Sequence, residues 1–261
     1  MTSWIAISRK DHLHKRWQPS KGFEFVADQQ IVPILLAEIA RIAPHHVTGF
    51  VQAEDGSFQY VALVGVGGDR NLYVTSDSLW LGDYIPASLR AYPFALLNDT
   101  EGNKLFCVDE SHLTDDESFP RLFQDDGTLE KTPTDTVSFI TQCEENRLQT
   151  LKACAALDEA GLIEPWSIEI PRGNDQTPLA INGVHRVNES KLNEIDATQL
   201  IALRNVGALP LAYAQLFSTA QMEQLIKRAN FHSKADPKKA PAELDSLFGE
   251  GDGGTLNFDS L

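Results

Sequence analysis

Apolar and polar positions alternate through the first half of the chain and fall into a helical period in the second. SWIAIS, from Ser3, alternates loosely. VPILLAEIARIA, with Pro33 in its first turn, predicts an apolar helix from Val32 that ends before Pro44. VTGFVQAEDGSFQYVALVGV predicts two strands about the turn Glu54-Asp55-Gly56-Ser57. A second tight turn, Gly67-Gly68-Asp69-Arg70, leads to a strand at Leu72 to Val74, and a further hairpin folds across Asp99 to Asn103. Hairpins in succession imply an antiparallel sheet.

Residues 109 to 135 carry nine acids against Arg121 and Lys131, and read as a surface loop around one short apolar element, FPRLF. We take this loop as a seam between two halves. From Asp135 the chain turns helical, with Ile140, Glu144, Leu148, Leu151 and Ala155 near a 3.6-residue period and Gly161 as the stop. WSIEI and INGVHRVNE read as two strands around a polar loop containing Pro171, Gly173 and Pro178. DATQLIALRNVG, PLAYAQLF and TAQMEQLIKRA close the pattern as helices. The expected fold is α+β: an antiparallel sheet in the first half, a helix-rich second half with a small hairpin, one domain over residues 1–230, and a disordered acidic tail over 231–261.

Charge narrows the function. With 22 Lys+Arg against 37 Asp+Glu the chain carries −15. Residues 243–261 hold five acids and no base, so the remainder still carries −10. That balance argues against a nucleic-acid groove or an anionic membrane surface. Arg9, Lys10, Lys15, Arg16 and Lys21 are the local exception, either a solvated basic face or a patch for an acidic partner. The short apolar run precedes these charges, the reverse of a secretory signal, and no apolar run approaches the roughly 20 residues that cross a membrane. A soluble cytoplasmic protein without membrane insertion is expected. Cys143 and Cys154 would share a helix face about 16 Å apart, too far for a disulfide, and Cys107 reads as a buried small hydrophobe.

Standard chemistry finds no anchor. GVGGDR is followed by strand-like NLYV, so phosphates would meet no helix N-terminus. The seven histidines form no HExxH or facial-triad pattern; His12 and His14 would share a strand face among cations, His45 and His46 would point apart in a loop, and solvated histidines are the plain reading. There is no Gly-x-Ser-x-Gly and no Ser-x-x-Lys. We expect no metal and no cofactor.

The densest feature is WLGDYIPASLRAYPF, where Trp80, Tyr84, Arg90 and Tyr92 are the candidate binding residues. Pro86 and Pro93 leave room between them for a short helical turn only. Arg90 is either a pin, bonding to carbonyls or stacking on Tyr84 or Tyr92, or the cationic end of a pocket walled by Trp80, Tyr84 and Tyr92. In the tail, LDSLF and NFDSL repeat an acidic-apolar theme, either a solubilising end or a motif anchored by Leu247, Phe248, Phe258 and Leu261.

These residues together resemble the bacterial SapC family, named after a surface-layer gene cluster, over roughly residues 14 to 230. The landmarks are Trp17 with Pro19; Val32-Pro33 and Glu38; Asn71-Leu72; the Trp80 to Phe94 block; Leu122-Phe123; Asn182-Gly183-Val184 through Val187-Asn188-Glu189; Gly207-Ala208-Leu209; and Tyr213-Ala214 with Leu216 and Ser218. The resemblance supplies no catalytic residues. It implies an accessory role beside halogenase-like, cupin-like and nutrient-uptake proteins. Relatives often show Tyr-Ala-His-Leu where this chain has Tyr213-Ala214-Gln215-Leu216. The expected function is a non-enzymatic accessory protein with a protein partner, reached in part through the tail. The alternative is a metal-assisted oxygenase or hydrolase built around Trp80, Tyr84, Arg90 and a histidine such as His185.

Overall fold

Strands from both halves of the chain meet in one antiparallel sheet. The structure, a computed structural model, describes residues 3–67, 70–172 and 176–235. Its elements run β1 (Trp4–Ala6), α1 (Arg9–His12), β2 (Arg16–Trp17), β3 (Ile31–Pro33), α2 (Ile39–Ile42), β4 (Val47–Gln52), β5 (Phe58–Leu63), β6 (Phe94–Asn98), β7 (Lys104–Asp109) and β8 (Leu113–Thr114). The second half adds α3 (Lys131–Glu159), β9 (Ile163–Pro165), β10 (Ile168–Arg172), β11 (Gln176–Ile181), β12 (Val184–Val187), α4 (Glu189–Glu194), α5 (Ala197–Asn205), α6 (Ala208–Ser218) and α7 (Met222–Ala235). The fold is α+β, with antiparallel sheets in the first half and helices in the second.

Turn chemistry sets the two long hairpins. Between β4 and β5, Asp55 accepts hydrogen bonds from the amide and hydroxyl of Ser57. Between β6 and β7, Asp99 accepts from the amides of Glu101 and Asn103. Short polar side chains that bond their own backbone are what such turns require. The five-stranded sheet runs β3-β5-β4-β12-β9, and a three-stranded sheet runs β1-β7-β6.

The five-stranded and the three-stranded sheet each pack on a core of their own. Phe50, Tyr60, Tyr73, Leu157, Leu211 and Leu225 belong to the larger one, under the five-stranded sheet. Trp17, Phe94, Val108, Leu122 and Phe123 form the smaller. The chain enters the smaller core at its start, leaves for the larger, and returns over β6 to Leu129. The acidic loop therefore lies over the smaller core, held by Leu122 and Phe123 of the FPRLF element. α3, about 44 Å long at 1.5 Å per residue, bridges the two. Ile140 packs on the smaller core, and Ala153, Cys154 and Leu157 on the larger. Gly161, at φ +67°, ends the turn after α3 as expected, because a left-handed residue there meets no Cβ clash.

Four expectations are corrected. Ile31 to Pro33 is an edge strand paired with β5, and the helix forms only at Ile39–Ile42 after a 3-10 turn. Leu72 to Val74 is a turn bonded to Trp80 through an isolated bridge, not a strand. β10 pairs with β11, part of which had read as a polar loop, while β12 joins the large sheet between β4 and β9. His12 lies in α1, not on a strand.

α6 is fastened to that sheet by a buried polar network. The hydroxyls of Thr48 and Tyr60 lie 2.7 Å apart, as do those of Thr48 and Ser218. Gln215 donates Nε2 to the Thr48 carbonyl at 3.2 Å and accepts the Val187 amide at 2.9 Å. Gln215 thus serves as a donor-acceptor bridge between β4 and β12. Among the described residues, no single helix is long and apolar enough to cross a membrane.

Candidate functional site

Of the four aromatic-block residues offered as a binding site, Trp80, Tyr84 and Arg90 stay in contact and Tyr92 leaves them. The Trp80 ring stacks on Tyr73 at 5.3 Å and lies 6.1 Å from the ring of His46, and its Nε1 donates to the Tyr84 carbonyl at 3.0 Å. Tyr84 donates its hydroxyl to Oε2 of Glu38 at 2.9 Å. Glu38 is buried, and it also accepts the amides of Leu35 and Ala87 at 2.8 Å each. Burial and then the Glu38 charge push the Tyr84 hydroxyl pKa up, so it stays a donor. Arg90 donates Nε to the Ile85 carbonyl at 2.8 Å and sets its guanidinium 4.8 Å from the Tyr84 ring centre. That is the geometry of a pin: the arginine is bound to its own turn, and Glu38 ties the turn to the large core.

Tyr92 goes elsewhere, to the wall of a cleft of about 940 Å³. The N-terminal loop around Gln18 to Phe25, the turn at Asp77-Ser78, and the stretch from Asp109 to His112 build it. The Tyr92 hydroxyl donates to Oδ2 of Asp109 at 2.6 Å, and its ring lies flat on Phe25 at 3.9 Å and 7°. Oδ1 of Asp109 accepts from the amide and hydroxyl of Ser111 at 3.1 and 2.8 Å. Burial alone would raise the Asp109 carboxyl, but the donors Tyr92 and Ser111, with the His112 charge, hold it below its ordinary value. Burial and the Asp109 acceptor push Tyr92 up in turn.

His112 stands edge-on to Tyr92, with ring centroids 5.0 Å apart. Its Nδ1 lies 2.6 Å from the Gln18 carbonyl, which makes Nδ1 the protonated nitrogen and leaves Nε2 as the acceptor in the neutral ring. Glu24, Asp77 and Glu110 add three exposed carboxylates to the lining, against the single ammonium of Lys21. Ser78 holds φ +61°, the one non-glycine residue at positive φ among those described. Its carbonyl and Cβ lie 2.6 and 2.8 Å from where a side chain at Gly22 would begin, so only glycine lets the two loops close on each other. The arrangement offers a flat aromatic step surrounded by fixed negative charge, which suits a cationic group.

Of the residues that line this cleft, Tyr92 stands in the aromatic block singled out from the sequence and its partners do not. The signal present was Asp109 at the end of the otherwise apolar run LFCV; nothing local marks Glu24, Phe25 or Asp77, which only the fold brings together. The histidines also differ from the solvated reading. His46 is fully buried against Tyr73, 4.3 Å away and nearly parallel, and neither ring nitrogen reaches a hydrogen-bond partner. Burial and then the nearby Arg228 charge bring it down to about 3. His232 is buried as well, with Nε2 3.0 Å from the Leu72 carbonyl and Nδ1 3.3 Å from Arg70. The ring of His185 packs edge-on against Phe58 at 4.9 Å, so the structure does not gather it with Tyr84 and Arg90.

All three cysteines are free thiols; Cys107 and Cys154 are buried, and burial pushes Cys154 up to about 12. Among the described residues no group of three or more His, Cys, Asp or Glu is placed to hold a metal ion. Leu247, Phe248, Phe258 and Leu261 lie outside the described residues.

No curated protein and no solved structure matches the chain. A family model described as SapC matches residues 7–225, which takes in most of both cores and of the cleft lining. The chain belongs to the SapC family.

Proposed function

We propose that this chain is a non-catalytic accessory protein that binds a positively charged segment of a partner protein in the cleft at Tyr92. The observation that carries the reading is the pairing of the stacked Phe25–Tyr92 step with four carboxylates, Glu24, Asp77, Asp109 and Glu110, around one open cleft. An arginine or lysine side chain laid on that step gains both ring and carboxylate attraction. The whole-chain charge of −15 favours encounter with such a partner. The acidic-apolar tail with Leu247, Phe248, Phe258 and Leu261 is proposed as a second contact. The expected compartment is the cytoplasm, beside the envelope, nutrient-uptake or halogenase-like proteins that the family resemblance implies.

The test is a calorimetric titration with an arginine-rich nonapeptide. The triple variant Glu24→Gln/Asp77→Asn/Glu110→Gln should bind at least tenfold more weakly than Glu54→Gln/Glu101→Gln/Glu117→Gln, which has the same net charge but alters exposed acids outside the cleft. Equal affinity for the two would remove the cleft from the account.

A second reading, a hydrolytic enzyme, has one observation in its favour. The Gln18 carbonyl fixes the tautomer of His112, so the neutral ring keeps Nε2 as a proton acceptor in a residue of the cleft wall. Hydrolysis of a model-ester panel that disappears in His112→Gln would establish that reading over the first.

A further inference from the structure

A second, smaller cavity lies between the two sheets. Its volume is about 220 Å³, and α3 forms one wall while β3, β5 and β6 form the others. Ile34, Leu35, Leu96, Ile140, Cys143 and Leu151 give it an apolar lining. Three of the neutral polar side chains in the lining are already engaged, and Gln59 is the further one. Thr150 accepts the Leu36 amide and donates to the Asn146 carbonyl, Ser88 donates to the Pro33 carbonyl, and Tyr60 bonds to Thr48. Apart from the Gln59 amide, the interior therefore offers an incoming molecule chiefly hydrocarbon contact.

The charged end is different. Arg147 grips Glu144 through Nε at 2.7 Å and Nη2 at 2.9 Å, and Lys104 reaches the same carboxylate at 2.7 Å. The side chains of Arg147 and Lys104 are 47% and 43% exposed, which marks this as the solvent side. The hydrogen bonds from Arg147, against the cost of burial and with Lys104 adding to them, hold Glu144 down to about 2. Two cations thus share one permanent anion, and a net positive charge remains at the mouth of an apolar cavity. Nη1 of Arg147 and two hydrogens of Lys104 have no partner among the described residues.

We propose that this cavity binds an amphipathic carboxylic acid, its chain among Ile34, Leu96, Ile140 and Leu151 and its carboxylate at Arg147 and Lys104. Cavities of about 150 Å³ lined by aliphatic side chains accept benzene, so the volume here suits a chain of roughly eight carbons. The charge at the mouth selects an acid over an amine of the same length. The site is separate from the cleft at Tyr92, and shares no residue with it.

The experiment is equilibrium dialysis of the full chain against radiolabelled octanoate, with the fold of each variant checked by its melting curve. Saturable binding of one octanoate per chain is expected, competed by unlabelled octanoate and not by octylamine. Arg147→Met, at an exposed position, should weaken it at least tenfold; Cys143→Phe, which fills the cavity from the α3 side, should abolish it. Absence of saturable binding, competition by octylamine equal to that by octanoate, or unchanged binding in Arg147→Met would each overturn the proposal.

Discussion

Tyr92 joins the two cores: its hydroxyl bonds Asp109 of the small sheet at 2.6 Å, while its ring lies 3.9 Å above Phe25, which packs on the large core. Tyr92→Phe keeps the stacking and removes the hydrogen bond to a carboxylate. We expect a loss of about 1–3 kcal/mol in chemical denaturation at pH 7. The Asp109 pKa is depressed in the folded state, so its contribution is present above the ordinary carboxylate range and lost as pH falls through the lower folded value. The gap between wild type and Tyr92→Phe should accordingly close in strong acid, which denaturation at a series of pH values checks.

His46 predicts a different pH dependence. Its folded pKa of about 3 lies below the ordinary 6.5, so between those values the unfolded chain binds a proton that the native ring refuses. Stability should fall on acidification through that window, by about 1.4 kcal/mol per pH unit for this group. His232, also shifted down, adds in the same direction, and the charges of Arg228 and His45 oppose protonation of His46. Because neither nitrogen of His46 has a hydrogen-bond partner, His46→Phe should be as stable as wild type or more so at pH 7. It should also flatten the slope between pH 6.5 and 3.

Much of this architecture is legible in the sequence, and the exceptions have physical reasons. The β4–β5 and β6–β7 hairpins and the end of α3 were readable because Asp55, Asp99 and Gly161 impose local geometry. Ile31 to Pro33 misleads because Pro33, which suits a first helical turn, is equally tolerated on a sheet edge where no amide is required, and β3 is such an edge. The place of β12 between β4 and β9 is a tertiary choice; His185 pairs with Phe50 across more than a hundred residues of sequence. Tyr92, Trp80 and Arg90 are close neighbours in sequence, yet Trp80 and Arg90 meet at Tyr84 while Tyr92 turns to Phe25 and Asp109, and proximity along a proline-bounded turn carries no information about that.

The pin at Arg90 and its anchor at Glu38 should separate cleanly. Arg90→Ala removes one carbonyl bond and one ring contact at an exposed site, with an expected cost below about 1 kcal/mol. Glu38→Ala strands two amides and a phenol in the interior, and should cost about 3 kcal/mol or more. Melting temperatures of the two variants decide the order.

Gln215 gives a parallel case on α6. Gln215→Ala leaves the Val187 amide and the Thr48 carbonyl without their buried partner. A loss of about 2–3 kcal/mol is expected in urea denaturation.

Removal of residues 243–261 tests the tail. The melting temperature should not change, because among the described residues the last member of either buried core is Ala229. Partner recovery in a pull-down should decrease; identical partner lists with and without these residues would remove the tail from the account.

A partner protein held in the cleft at Tyr92 should co-purify with the chain. The most direct measurement is affinity purification of the tagged chain from its native host at natural abundance, run beside Glu24→Gln/Asp77→Asn/Glu110→Gln and Glu54→Gln/Glu101→Gln/Glu117→Gln, with recovered proteins quantified by mass spectrometry. A stoichiometric partner is expected with wild type and with the second variant, reduced at least tenfold with the first. A lone chain, or the same partner recovered equally by all three, would contradict it.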